Sequence, residues 1–313
     1  MQPQSITIFP TISLLVILLE GCKPAPGWLA EAPLIGTRLR DDAGNELYLR
    51  TPPSRVALCT PEAIGLWQSA GLFSYVKAAC VGEGDDPRIF YLPCGDSIAL
   101  SDALFRNRVE WAWVPSPQAV ESFSPDLLYV FAPRTLASWL RHMKNLAKVY
   151  DQPLIKHTAD SLERIAQQKS LLAKESRVFK VAILTLGEPL ALLSQRHPLA
   201  TLVQETGGSI PYKAEAEYFL PHPETLYHAL PDIILVPENS TELLNDFLRQ
   251  YPDAYTSPAI RYKRVFSIPP WFIQRPFSNP VQVFFTLLQI IHPELVGNSA
   301  MSPAREQVED TTE

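Results

Sequence analysis

The longest stretch of regular apolar and polar spacing runs from 151 to 174. Leu154, Ile155, Leu162, Ile165, Leu171 and Leu172 recur there at roughly helical intervals, and Lys and Arg gather toward the end. Asp151 is a suitable N-cap, and Pro153 falls in the first turn, where its missing N–H costs nothing. The pattern predicts one helix, and at ~1.5 Å per residue it spans on the order of 33 Å. Its flanks repeat one another. Pro117-Gln118 leads to Pro125-Asp126 and an apolar run ending at Val130, while Pro223-Glu224 leads to Pro231-Asp232 and a run ending at Val236. A unit repeated on either side of a long helix predicts two similar lobes joined by a rod.

Residues 37–50 alternate around Asp42-Ala43-Gly44-Asn45, a hairpin signal. In the first half, strands are expected at 55–59, 76–81, 111–114 and 127–131, and helices at 61–70, 117–123 and 135–150; 82–109 reads as loop with one short helix. In the second half, strands are expected at 179–184, 233–236 and 265–268, and helices at 199–206, 223–229, 241–251 and 280–291. Short strands separated by helices imply parallel pairing. The expected class is α/β: two doubly wound, Rossmann-like lobes joined by one long helix. The expected division is an N-terminal lobe at 37–150, a linking helix at 151–176, a C-terminal lobe at 177–297 and a flexible polar tail at 298–313.

Composition narrows the function. Of 313 residues, 46% are hydrophobic and 19% charged, which is globular. A net charge of −6 argues against a nucleic-acid partner, which usually needs a basic face. The thirty prolines fall mainly between apolar runs, as many short strand–helix connections require. Near the N-terminus, 12–19 is apolar but too short to span a membrane, and it fits a signal-peptide core. Leu19-Glu20-Gly21-Cys22 resembles a bacterial lipobox. On that resemblance 1–21 is a signal peptide, Cys22 is lipidated, 22–36 is a Pro-rich tether, and the protein is anchored on the outer side of a membrane. A buried strand or helix with an incidental cysteine is the other reading. Of Cys59, Cys80 and Cys94, one pair can form a disulfide in any of three pairings, or all can be buried thiols. Without Cys-x-x-Cys spacing, no zinc or redox motif is supported.

Several pieces then fall in order. They are Asp42-x-Gly44, Pro53-x-Arg55-Val56, Ala70-Gly71 before the second strand, the two Pro-Asp strand starts, Gly207-Gly208, the run from Arg264 through Val265, Phe266, Ser267 and Ile268 to Pro269, and Ile291-His292-Pro293-Glu294-Leu295. In order and spacing they resemble the rigid-helix periplasmic binding proteins of the ABC importers for iron–siderophore, haem and vitamin B12. The resemblance implies a monomeric, extracytoplasmic receptor, with no cofactor of its own. It would capture a metal chelate between two lobes, deliver it to a membrane permease and catalyse nothing. One departure is visible: Phe131 to Thr135 leaves no room for the family's usual extra strand, so the first lobe reads as abbreviated.

Ligands of open parallel sheets sit beyond the carboxyl ends of strands. Thr60 lies at the first such end. The resemblance matches Trp113, Phe131 and Tyr218 to the aromatics of B12-binding members, where rigid rings suit a large flat chelate. Trp271 joins them at the last strand end, and Arg134 and Arg275 offer planar donor forks for anionic oxygens. Each aromatic fits a sheet core equally well, and each arginine fits an ordinary surface. The resemblance also implies transporter docking at Glu224 and at its first-lobe counterpart Gln118, which is neutral unless Glu121 substitutes; Glu224 alone also suits a helix N-terminus.

Enzyme and metal signals are weak. The six histidines are scattered without His-x-x-x-His spacing, and no Gly-x-Ser-x-Gly or Gly-rich phosphate loop occurs. No catalytic or metal-ligating residue is therefore expected. The competing functions are an exported chelate-processing enzyme, or a partner-docking lipoprotein with a degenerate pocket. Among ligands, the aromatics lean toward a corrinoid and the arginines toward an anionic siderophore. Haem fits least, because no His or Tyr stands out as an axial ligand.

Overall fold

A computed structural model describes residues 36–80, 89–94, 96–120, 128–185, 191–220, 230–238 and 241–296. The leader, Cys22, Glu121, Pro125-Asp126, the helix expected at 223–229 with Glu224, and the C-terminal tail lie outside the described residues.

The N-terminal half contributes β1 (Thr37–Arg40), β2 (Glu46–Leu49), β3 (Val56–Leu58), α1 (Pro61–Ser69), β4 (Val76–Ala79), β5 (Phe90–Tyr91), α2 (Ser97–Arg106), β6 (Trp111–Val114), β7 (Leu128–Val130) and α3 (Leu136–Val149). The long helix α4 (Pro153–Glu175) follows, unbroken. The C-terminal half contributes β8 (Phe179–Ile183), β9 (Leu192–Leu193), α5 (Pro198–Glu205), β10 (Gly208–Ser209), β11 (Tyr218–Phe219), β12 (Ile233–Pro237), α6 (Thr241–Gln250), α7 (Pro258–Arg261), β13 (Val265–Ile268), α8 (Pro270–Gln274), α9 (Pro280–Ile291) and α10 (Pro293–Val296).

Two parallel sheets result, ordered β5-β4-β3-β6-β7 and β10-β8-β12-β13. Without the edge strand β5 the two orders are the same: second, first, third, fourth. The repeat seen in sequence is thus a repeat of topology. The helix expected within 82–109 is Ser97–Arg106, but the edge strand β5 beside it was missed, as were the two-residue strands β9 and β11, which pair outside both main sheets. No strand forms between Phe131 and Thr135, as the spacing implied.

Alternation assigns the faces of the first sheet. Val56 and Leu58 of β3, with Trp111 and Trp113 of β6, join the main apolar core beside Trp67 of α1 and Trp139 of α3. Ala57, Cys59, Ala112 and Val114 face the other way, onto Leu100 and Leu104 of α2. The main core does not stop at the first lobe. It continues through Val181, Ile183, Leu235 and Phe284 of the second. The lobes also meet directly: a Cβ on Gly65, in the middle of α1, would run into the carbonyl oxygen of Ser278. A glycine costs roughly 1 kcal/mol in a helix interior, and here that cost permits a backbone contact.

The long helix departs from expectation in its details. Its buried positions are Ile155, Ala159, Ala166 and Ala173, while Leu154, Ile165, Leu171 and Leu172 are exposed. The larger apolar residues suggested the wrong face, because a close helix–helix seam selects small side chains. Asp151 is not the N-cap. Gln152 takes that place, and Asp151 adopts φ 49° in the turn that reverses the chain from α3 into α4. The two helices pack along their lengths, with Lys144 of α3 bonded to Asp160 (2.9 Å) and Glu163 (2.7 Å) of α4. At its far end α4 meets the second lobe, where Lys169 donates to the Leu295 carbonyl and Ala173 abuts Gly207. The Pro-Asp start of β12 now has a cause: Asp232 accepts from Lys180 N (2.9 Å) and pairs with Arg177 (2.7 Å), tying β12 to β8 just beyond the helix.

Gly207 combines φ 79° with contacts that leave no room for a Cβ, which would sit 2.8 Å from Ala173 O and 2.7 Å from His292 Nε2. Gly207→Ala is expected to destabilise the fold by roughly 2 kcal/mol or more in denaturant unfolding. An unchanged midpoint would mean that the helix does not press on the second lobe there.

Candidate functional site

A cavity of about 900 Å³ opens between the lobes. Its first wall is made where strands of the N-terminal sheet end. Thr60 follows β3, Pro115 follows β6, and residues 131–134 follow β7. Its second wall comes from residues 195–198, from Glu215, Glu217 and Tyr218 around β11, and from Gln274, Pro276 and Phe277 after α8. The first wall has the carboxyl-end placement expected of an open α/β sheet.

The first wall is held by a buried network. Asp41 and Asp42, in the β1–β2 turn, cover the free edge of β7. Asp42 N donates to Val130 O (3.0 Å), Asp41 accepts from Val130 N (3.2 Å), and Asp42 accepts from Ala132 N (2.8 Å). Behind them His142 Nε2 lies 2.9 Å from Asp42 and its Nδ1 lies 2.6 Å from Tyr129 Oη, which accepts from Asn145 (2.9 Å). Burial pushes His142 below its ordinary value, which favours a neutral ring. One tautomer then serves both Asp42 and Tyr129: Nε2–H donates to Asp42, and Nδ1 accepts from the tyrosine hydroxyl. Burial works against the Asp42 charge, yet the His142 hydrogen bond and the Ala132 and Ser138 donors hold its carboxyl below the usual range. The turn expected from Asp42-x-Gly44 is therefore the clamp that sets the backbone from 130 to 132.

On the second wall His197 caps α5, its Nδ1 accepting from Leu199 N (3.1 Å). The proton must then sit on Nε2, which is 2.9 Å from Tyr218 Oη. That bond leaves the phenol's own hydrogen free to donate toward the cavity. Burial lowers His197 to about 4, so the ring is neutral at ordinary pH. Burial and the nearby Glu217 charge push the Tyr218 phenol up, so it stays protonated. Arg196 pairs with Glu215 (2.5 Å), whereas Arg134 has no ion-pair partner among the described residues.

Of the residues singled out from sequence, Thr60, Phe131, Arg134 and Tyr218 line the cavity. Thr60 is buried and caps α1 through Ala63 N (3.0 Å), so its hydroxyl is already engaged. Phe131 is nearly buried, with its ring against Trp113 and His142. Tyr218 is 41% exposed and offers the most open ring of the four. Trp113 is 0% exposed and does not reach the cavity. Strand alternation turns it into the core, where it packs on Trp67 and Tyr129, so it supports Phe131 from behind and cannot itself cover a ligand. Trp271 and Arg275 also lie off the cavity wall. Trp271 packs on Phe272 of its own short helix, and Arg275 closes that helix by donating its N–H to Trp271 O (2.8 Å). Gln118 is exposed on a single turn at Pro117–Ala119.

Sequence reading missed Glu62, Arg196, His197, Glu217 and Phe277. Only His197 left a signal: it precedes Pro198 at the first position of a helix, which marks a cap. Glu62 lies in the first turn of α1, and the others lie on irregular segments whose approach depends on how the lobes face.

The fold has solved relatives. The periplasmic vitamin B12 binding protein of Vibrio cholerae matches over 77% of this chain and 97% of its own, with TM-score 0.60 and 14% identity. A periplasmic heme-binding protein from a Roseiflexus species matches over 77% and 99%, with TM-score 0.54 and 15% identity. A protein of an ABC-type Fe3+-hydroxamate transport system from Saccharomonospora viridis matches over 82% and 99%, with TM-score 0.55 and 12% identity. The chain therefore has the two-lobed α/β fold of periplasmic binding proteins. No protein-family model and no curated protein matches it.

His142 and His197 tie stability to pH. Their folded values lie below the unfolded one, so the stabilisation is present above about pH 6.5 and is lost as pH falls. For His197 the loss runs down to about pH 4, with a slope on the order of 1.4 kcal/mol per pH unit for one such group. Urea unfolding of the wild type and His197→Gln between pH 7 and 4 should show a shallower fall in the variant. Parallel curves would contradict the neutral, buried assignment.

Proposed function

We propose that this chain is the substrate-binding component of an ABC importer, holding an iron–siderophore or cobalamin-type chelate between its lobes and passing it to a membrane permease. The cavity carries the reading. It lies at the carboxyl ends of strands in one lobe and against the facing surface of the other, and its volume is at the upper end for pockets that bury a compact organic ligand. Its chemistry is that of binding. Tyr218 supplies the accessible aromatic face, with the nearly buried Phe131 and Phe277 set into the wall, Arg134 and the Tyr218 hydroxyl supply donors, and its histidine is held neutral by burial and spent as a helix cap. In this reading no bond is made or broken.

The protein acts as a monomer outside the cytoplasm, divided as the sequence suggests, with a signal peptide at 1–21 and lipid on Cys22 at the end of a tether. Docking to the permease uses the faces that carry Gln118 and Glu224. The solved proteins of the same fold, with names that refer to vitamin B12, heme and Fe3+-hydroxamate, support the transport reading without selecting a ligand.

Trp67, Trp111 and Trp113 sit directly behind Phe131, so a strongly absorbing chelate in the cavity should quench their emission. Titration with cyanocobalamin, haem and a panel of ferric siderophores should give saturable quenching by one class at micromolar concentration or below. Tyr218→Ala should weaken that binding by roughly tenfold or more. If none of the panel quenches at micromolar levels, the receptor assignment fails.

A further inference from the structure

Three cysteines that look unrelated in sequence meet at one corner of the first lobe. Cys59 and Cys80 each follow their strand by one residue. Because Leu58 pairs with Ala79, the neighbouring parallel strands β3 and β4 deliver the two cysteines side by side. Cys94 arrives from beyond β5, the next strand in the sheet. All three sulfurs lie within 4.8 Å of one another. Cys80 and Cys94 form a disulfide, while Cys59 is a free, buried thiol. A structural bridge needs only two of these residues. The third is placed against it by the strand register, at the edge of an apolar cluster that includes Leu92 and Leu100.

We propose that Cys59, Cys80 and Cys94 form a redox-gated site for a soft, thiophilic metal ion such as monovalent copper, open only when the Cys80–Cys94 disulfide is reduced. Among the described residues the ligand set is sulfur alone, which selects thiophilic ions over hard ones. The gating balances. Two donor thiols, or a phosphine with one water molecule, supply the electron pair that breaks the S–S bond; the two sulfurs take up two protons, and the donor becomes a disulfide or a phosphine oxide whose oxygen comes from the water. The ion then forms three metal–sulfur bonds and releases three protons. Because the ion displaces thiol protons, binding should tighten as pH rises. Cys94 is exposed and gives the ion an entry path. None of this depends on what the cavity binds.

The test uses the full chain, reduced with a phosphine, freed of reductant and titrated anaerobically with Cd(II) as the soft-ion probe. One ion per chain should bind, with thiolate charge-transfer absorption and protection of all three thiols from iodoacetamide. The oxidised protein should bind none. Cys59→Ser should lose part of the absorption and bind at least tenfold more weakly. Protection of only two thiols, equal titrations for the reduced wild type and Cys59→Ser, or no binding at all would overturn the proposal. The thiol count on the wild type decides the matter even if the variant fails to fold.

Discussion

The structure depends on a seam of small side chains. Along α4 the buried positions are Ile155, Ala159, Ala166 and Ala173, and only the first is large. Alanines let the helix lie close to α3 on one side and let its last turn press on Gly207 of the second lobe. A helix seated in this way cannot bend without opening contacts along its length. The lobes are held at a fixed separation by packing, and the exposed ion pairs around Lys144 add little. The Gly65–Ser278 contact and the continuous apolar core add a second, direct junction. The rod of the sequence reading is thus one of two connections between the lobes.

The cavity's own geometry comes from polar groups that the solvent does not reach. Asp41 and Asp42 occupy the open edge of β7, where unpaired backbone groups would otherwise need water. His142 and Tyr129 fix Asp42 from behind, so the path of 131–134 is set by the core and not by the loop itself. On the opposite wall His197 holds Tyr218 in the same way. Each wall therefore presents an aromatic ring backed by a neutral histidine. Neither histidine adds a charge, which leaves Arg134 and the carboxylates to set the electrostatics.

Much of this was legible in the sequence. The seven main strand positions, the long helix and the two-lobed class follow from apolar spacing, prolines and repeated Pro-Asp starts, all of them local signals. What was not legible is tertiary. Which face of α4 is buried depends on the size of its neighbour, so alanine, silent in a hydrophobicity pattern, outranked leucine. Trp113 sits where a ligand-binding aromatic was expected, but strand alternation turned its ring inward, and residue type alone does not reveal that. Arg196, Glu217 and Phe277 reach the cavity from irregular segments. Sequence spacing allowed one bridge among the three cysteines but revealed neither which pair forms it nor that the third sulfur lies beside it, because adjacent strands and not adjacent residues bring those atoms together.

The central claim is that packing, and not a ligand, holds the two lobes at one separation. The most direct measurement is the distance between spin labels on exposed positions of the two lobes, Lys77 and Arg249 replaced by cysteine, in the ligand-free protein. The account predicts a single narrow distribution that an added chelate barely shifts. A broad or two-peaked distribution that collapses on binding would show that the lobes swing freely, and would contradict it.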